Sequence, residues 1–425
     1  MYTLMIINPG HFHAGLVLRE MHPELSEDVY IYGEAGADLD NFMKLIRSFN
    51  EREKNPTRWN FHIRTGSDYL QQALDEKKRT LAVLAGRNDR KIYDIEALHN
   101  AGIPVLSDKP LTVDGDGVKV LEKILASGGA PLMDMMTERE EITTRLQDFF
   151  FRCKEIFGEI DCSGEKPAIE KESVHHLCKI VNGNPLIRPA WYFDVKCQGE
   201  GIVDVTTHQA DIVQRLICGE QAPDFLRDVQ ILEAKAWDTI VPAEKFAECT
   251  RTPAFPESLA DRVQDGALAL RCNGEFTYRM RGVPVRLSVI WALQAAPGGG
   301  DTFYSCVRGT GAALVVDQGP ATGGRPELWL EPAAGQDLNE LAAKVSAALS
   351  ASSEFSGVTA EISGDKVMIR IPDALRYSHE MHFAMVLNGF LEMLSSGKEP
   401  EGARSALFTK YATLAAARDF SNRQK

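Results

Sequence analysis

Across residues 1–140, short apolar runs alternate with stretches whose apolar positions recur every three or four residues. Apolar runs of four to six predict strands at Leu4–Ile7, Val29–Tyr32, Phe61–Arg64, Leu81–Ala85, Pro104–Ser107 and Pro131–Met136. The helical period predicts helices at His13–Met21, Asp38–Phe49, Ser67–Asp75, Arg90–Ala101 and Val113–Ala126, with Gly102 ending the fourth. Strands alternating with helices predict βαβ units and a parallel sheet.

From about residue 160 the texture changes. Ala267–Cys272, Phe276–Arg281, Val285–Trp291, Ala312–Val316 and Lys366–Ile371 alternate or are rich in β-branched residues, with Gly, Pro and Asn between them. That pattern predicts a large, mostly antiparallel open sheet. Residues 294–301 and 318–326 read as loops. The segment 335–363 reads as a helix to Ser350 and then a Ser-rich stretch, and Ser378–Ser396 and Ala403–Asn422 read as amphipathic helices. The expected fold is α/β: a parallel-sheet domain over 1–140 and an α+β domain over 141–425. A chain of 425 residues exceeds one ordinary core, which fits two domains.

Charge narrows the partners. The net charge is −13 and the pI about 5.4, so phosphate backbones are repelled and nucleic acid is not expected. No apolar run reaches membrane-spanning length. Met1–Ile7 reads as a strand rather than a signal peptide, having no basic start and no small-residue cleavage site. The eight cysteines form no CxxC pair, so reduced thiols and a cytoplasmic location are expected.

Several positions carry candidate chemistry. After the first strand, Asn8-Pro9-Gly10-His11-Phe12-His13-Ala14-Gly15 keeps only the middle glycine of G-x-G-x-x-G. It reads either as a turn that brings backbone amides to a pyrophosphate, with Asn8 in left-handed backbone, or as an ordinary strand-to-helix turn. Glu34, after the second strand, suits the ribose hydroxyls of NAD or a solvated loop. Asn88 closes the fourth strand, where sheet ligands bind. Lys109 ends the fifth and precedes a proline. Its peptide can be cis, and its amine can bind a substrate hydroxyl or donate a proton, helped by a pKa depressed beside a cationic nicotinamide, or it is simply a surface lysine.

The densest constellation is Gln198-Gly199-Glu200-Gly201-Ile202-Val203-Asp204-Val205-Thr206-Thr207-His208-Gln209-Ala210-Asp211. On a helix, Asp204, His208 and Asp211 share one face, so Asp204 can orient His208 for proton transfer; the bland alternative is a satisfied buried His-Asp pair. Upstream lie His175, His176, Lys179, Arg188, Trp191 and Asp194; Arg188 offers donors and Trp191 a flat apolar ring to a sugar. Glu138 and Arg139 follow the sixth strand, where they can face substrate. His175, His176, His208 and Asp204 have ligand chemistry, but adjacent histidines rarely face one ion and no H-x-x-x-H spacing exists, so no metal is expected.

The β1 turn, Ala101-Gly102-Ile103-Pro104-Val105-Leu106-Ser107-Asp108-Lys109-Pro110-Leu111 and Gly199–His208 together resemble the glucose–fructose oxidoreductase/inositol dehydrogenase (Gfo/Idh/MocA) family. Its E-K-P motif stands here as Asp108-Lys109-Pro110, and its Asp and His four apart as Asp204 and His208. Met136-Thr137-Glu138-Arg139, Val174-His175-His176, Arg188-Pro189-x-Trp191 and His379-Glu380-Met381-His382-Phe383 resemble a branch of oxidoreductases with a distinctive C-terminal domain. The resemblance implies an N-terminal Rossmann sheet. It implies Lys109 and His208 as catalytic pair with Asp204 in support, and Gly10, His11, Phe12, His13, Asn88, Asp108 and Lys109 on the nucleotide side. It also implies NAD or NADP, with NAD preferred, and a homodimer or homotetramer. The expected activity is hydride transfer to or from a sugar, sugar derivative or cyclitol; a glycoside hydrolase or lyase using transient oxidation, and a non-catalytic binding protein, are the alternatives.

Overall fold

A computed structural model describes every residue except 77–79, 182–183, 297–298 and 424–425. Pro297 and Gly298, part of the expected 294–301 loop, lie outside the described residues.

The N-terminal part runs β1 (Tyr2–Ile7), α1 (His13–Leu16), β2 (Leu25–Gly33), α2 (Ala37–Glu51), β3 (Asn60–Thr65), α3 (Tyr69–Leu74), β4 (Thr80–Leu84), α4 (Lys91–Asn100), β5 (Val105–Ser107), α5 (Gly115–Ala126) and β6 (Leu132–Asp134). All six strands are parallel, in the order β3-β2-β1-β4-β5-β6. Leu4, Ile6, Leu81 and Val83 are buried on one face of the sheet and Met5, Ile7, Ala82 and Leu84 on the other, which is why these strands read as unbroken apolar runs. The order reverses between β1 and β4, so the crevice beyond their carboxyl ends is where such a sheet binds ligands.

α1 is much shorter than the predicted His13–Met21 helix. Leu16, Val17 and Leu18 are all buried, and three successive residues cannot share one helical stripe. The chain instead tightens, with Leu18 and Arg19 donating to carbonyls three residues back.

The C-terminal part adds α6 (Ile142–Arg152), β7 (Ile169–Cys178), α7 (Thr206–Cys218), β8 (Val229–Pro242), β9 (Ala267–Met280), β10 (Val283–Gln294), β11 (Thr302–Arg308), β12 (Ala312–Gln318), β13 (Glu327–Pro332), α8 (Leu338–Ala351), β14 (Thr359–Ser363), β15 (Lys366–Arg370), α9 (His379–Ser396) and α10 (Ala403–Arg423). Its sheet has the order β8-β9-β10-β7-β11-β12-β13-β15-β14, with Val263–Gln264 pairing on β9. All pairs are antiparallel except β10–β7. The end of the Ser-rich stretch forms the edge strand β14.

Two helices tie the second part to the first. α10 packs on α5, β8 and α7, and the start of α9 reaches α1. Cys178 and Cys249, expected as thiols, form a disulfide; the helix Ala243–Thr250 packs against β7 and brings them together across 71 residues. Among the described residues no helix is long and apolar enough to cross a membrane.

Candidate active site

The turn after β5 is fixed from beneath. The buried Lys91 ammonium donates to the carbonyls of Asp108 (2.9 Å) and Pro110 (3.1 Å), and the Lys109–Pro110 peptide is cis. Lys109 extends across to the C-terminal part, where its Nζ donates to Asp204 Oδ1 at 2.9 Å. Asp204 is placed by a turn that lies flat on β9: a Cβ on Gly201 would sit 2.2 Å from the Cys272 carbonyl oxygen, so only glycine fits. Beside it, buried Glu200 pairs with Arg271 (3.0 Å) and Arg418 (2.9 Å).

This geometry revises two expectations. Asp204 precedes α7 and holds Lys109, not His208. The Lys109 amine is not depressed: burial pushes it down, but the Asp204 and Asp108 carboxylates outweigh that and hold it above its ordinary value. Asp204 is correspondingly held below the ordinary carboxylate range, burial opposing and Lys109 prevailing.

His208 stands in the first turn of α7, and its Nδ1 is buried without a hydrogen-bond partner. Burial, then the Lys109 charge, keep the imidazole well below its usual pKa, so it is neutral at neutral pH. Asp211, one turn on, is gripped by Arg139 at 2.7 and 2.6 Å and by Lys410 at 2.8 Å. Arg139 is therefore committed to a buried ion pair and not to substrate.

A polar rim surrounds Lys109. His175 and His176, at the end of β7, each direct Nδ1 at Asp301 (3.2 and 3.1 Å), which also accepts from Lys179 at 2.8 Å. Burial raises the Glu138 carboxyl above its ordinary value; His175, Lys171 and Lys109 are the charges that oppose this. Lys171 is buried on β7 between Gln147 and Ser305. Arg188 is not free for a sugar: it donates to the carbonyls of Leu177 (2.9 Å) and His176 (3.1 Å) and lies over the rings of Tyr192 and Trp291. Trp191 instead crosses to the N-terminal part, its Nε1 donating to Asp38 at 2.8 Å.

At the β1 turn, Asn8 has φ 44°, the left-handed conformation expected of it. Gly10 is crowded: a Cβ there would lie 3.3 Å from Asp38 Oδ2 and 3.4 Å from Trp191. The amides of Gly10 and His11 both donate to the Ala85 carbonyl at 3.0 Å. Phe12 and His13 begin α1, where first-turn amides have no intrahelical acceptor. His13 Nδ1 lies 3.0 Å and His11 Nδ1 3.4 Å from Asp108 Oδ2. Asn88 is turned away: its backbone amide donates to the Cys197 carbonyl and its side-chain amide to that of Gln198, stitching β4 to the second part. Glu34 is exposed just after β2.

A nicotinamide dinucleotide fits this crevice at the backbone. Asn8 makes the turn, a side chain on Gly10 would press on Asp38 and Trp191, and the amides opening α1 lie at the switch point of the sheet. The cradle is narrower than three glycines would give, because Gly10 and His11 spend their amides on Ala85.

Four residues absent from the sequence-derived site belong to its surroundings. His379 places its ring 6.1 Å from that of His13, and the His379–Phe383 motif was its signal. Asp301 was hidden in a Gly-rich loop, Lys171 in a polar strand, and Lys410 in a helix read only as amphipathic.

A six-stranded parallel sheet with a ligand crevice, joined to a part with an open mixed sheet in which α7 and the turn before it supply the facing imidazole and acid, defines a two-part oxidoreductase fold. Residues 146–422 match the family described as "Putative oxidoreductase C terminal domain". A solved "putative oxidoreductase" from Parabacteroides merdae is 41% identical over 100% of this chain and 98% of its own, with a TM-score of 0.96. The chain belongs to the family of oxidoreductases that carry this C-terminal domain. A levoglucosan dehydrogenase solved with NADH and L-sorbose shares the fold at 14% identity (TM-score 0.64, 100% of this chain and 98% of that one). A "putative myo-inositol dehydrogenase" from Sinorhizobium meliloti does so at 13% (TM-score 0.56, 100% and 98%). No curated protein matches the chain.

Proposed function

We propose that this oxidoreductase uses a nicotinamide dinucleotide, NAD in preference to NADP, to oxidise or reduce a hydroxyl-bearing carbon of a sugar-like substrate. The observation that carries the reading is the buried Lys109–Asp204 pair, set at the end of β5 beside the sheet's switch point and below a rim of hydrogen-bonding groups. When bound, the dinucleotide supplies the site for hydride exchange.

The chain's own residues handle oxygen and proton. Lys109 stays charged, so its ammonium can hydrogen-bond the reacting oxygen and donate a proton as a carbonyl becomes an alcohol. In the opposite direction a proton must leave the hydroxyl, and neutral His208 can accept it. Glu138, His175 and the Asp301–Lys179 pair offer donors and acceptors of both signs, which suits neighbouring hydroxyls. Exposed Glu34 lies where it can accept from ribose hydroxyls and would repel a 2′-phosphate, which supports NAD.

Denaturing the purified protein and identifying released dinucleotide by mass spectrometry tests the cofactor, followed by calorimetric titration with NAD and NADP. Bound or titratable NAD is expected. Binding of neither would refute the cofactor assignment.

A further inference from the structure

We infer that His11, His13 and Asp108 form a binding site for a divalent transition cation of the zinc class, with at least one coordination position open to water or a substrate oxygen. Among the described residues this is the one set of His, Cys, Asp or Glu ligand atoms that all lie within 4.8 Å of one another. Around a tetrahedral ion with bonds of about 2.0–2.1 Å, neighbouring donors are roughly 3.3 Å apart. The two imidazole-to-carboxylate separations, 3.0 and 3.4 Å, bracket that spacing.

An ordinary hydrogen-bonded His-Asp cluster explains less. His13 Nδ1 lies 3.0 Å from Asp108 Oδ2, and His11 Nδ1 crowds the same oxygen at 3.4 Å with poorer hydrogen-bond alignment, so one carboxylate oxygen is shared by two imidazoles. A shared cation satisfies both ring nitrogens and the carboxylate at once, where the single oxygen serves the second imidazole poorly. The ligands are also held from behind, as metal ligands are. The Lys109 amide donates to Asp108 Oδ1 at 2.9 Å, and Lys91 clamps the Asp108 carbonyl. The His13 ring packs 4.5 Å from Phe383, and His11 meets it edge-on at 4.1 Å. The approach is open, because Phe12 and His379 flank the cluster and both are exposed.

Two imidazoles and one carboxylate suit zinc, cobalt or nickel better than magnesium or calcium, which demand more oxygen ligands. The His175–His176–Asp301 group is different. Its acid is already ion-paired to Lys179 at 2.8 Å, which occupies the oxygen that faces His175. The ion would take side chains of the β1 turn and a dinucleotide its amides, so the inference stands apart from the cofactor assignment.

The test is titration of chelator-treated full-length protein with Zn²⁺ by calorimetry and with Co²⁺ by visible absorption. One equivalent per chain is expected, with weak d–d bands and no intense thiolate band. His13→Ala and His11→Gln should each weaken binding by at least about tenfold, while His176→Ala leaves it unchanged. Circular dichroism checks folding of each variant. Should both turn variants fail to fold, the wild type still decides, since saturating Zn²⁺ must raise its melting temperature. Absence of stoichiometric binding, a thiolate band, or equal affinity in folded His11→Gln would overturn the site.

Discussion

Lys109 Nζ and Asp204 Oδ1 meet at 2.9 Å across the junction of the two sheets, both side chains nearly removed from solvent. Asp204 thus holds the amine above its ordinary pKa in a place where burial alone would lower it. Lys109→Met should lower kcat by about 10²- to 10⁴-fold with a small change in KM, the usual weight of one acid–base group. Asp204→Asn should do two things: cut turnover, and destabilise the fold by about 3–5 kcal/mol by leaving a buried ammonium unpaired. Steady-state kinetics and denaturant titration separate the two effects. Wild-type kcat in folded Lys109→Met would remove this lysine from the chemistry.

Gly86 and Gly389 make a paired prediction with opposite signs. A Cβ on Gly86 would lie 2.5 Å from the Asn8 carbonyl oxygen and 3.2 Å from the Gly10 amide, both backbone atoms that cannot rotate away. Gly86→Ala should therefore cost about 1–3 kcal/mol and distort the β1 turn, weakening dinucleotide binding. Gly389 is exposed inside α9, and a Cβ there meets nothing within 4 Å. Gly389→Ala should stabilise by up to about 1 kcal/mol. Denaturation midpoints decide both; a neutral Gly86→Ala would mean that β4 and the β1 turn can separate freely.

The sequence disclosed most where burial is simplest. Leu4–Ile7 and Leu81–Leu84 are apolar on both faces, so the parallel sheet could be read directly. Ile169–Cys178 could not, because Lys171, His175 and His176 break the apolar pattern, and their partners come from 24 to 134 residues away. Site residues were found through local motifs, while their pairings were not. Asp204 and His208 look like partners at helical spacing, yet the helix starts at Thr206 and frees Asp204 to reach Lys109. Arg188 and Arg139 had the right chemistry for a substrate, but backbone carbonyls and Asp211 had prior use of them. Such competition is settled by tertiary contacts, which no single segment encodes.

Lys410 shows the same point energetically. Its ammonium, almost fully buried, lies 2.7 Å from Asp134 at the end of β6 and 2.8 Å from Asp211 in α7. Tyr411 donates to Asp134 as well, at 2.8 Å. Lys410→Met would remove the ammonium paired directly with Asp134 and should cost about 3–5 kcal/mol. Adding Asp134→Asn should recover part of that loss, because the stranded charge is then gone. Equal midpoints for the single and double variants would show that Asp134 is not the charge Lys410 balances.

Lys171 should give the opposite response to substitution, and a distinctive pH profile. Its acceptors, Gln147 and Ser305, are neutral, and burial draws its amine from 10.5 down to about 8; Glu138 and then Cys306 oppose the shift. Below pH 8 the amine is charged in both folded and unfolded chains, and the fold bears the full cost of a buried charge. Between about pH 8 and 10.5 the folded chain has released this proton while the unfolded chain still holds it. The unfolded state then binds more protons, so stability must rise with pH through that window. The shift corresponds to about 3 kcal/mol. Lys171→Met should thus stabilise the protein at neutral pH, since Ser305 and Gln147 remain bonded to each other at 3.0 Å. Subtracting the variant's stability profile from that of the wild type cancels the common titrations and isolates the amine. A flat difference across pH 8–10.5 would show that Lys171 carries its ordinary pKa.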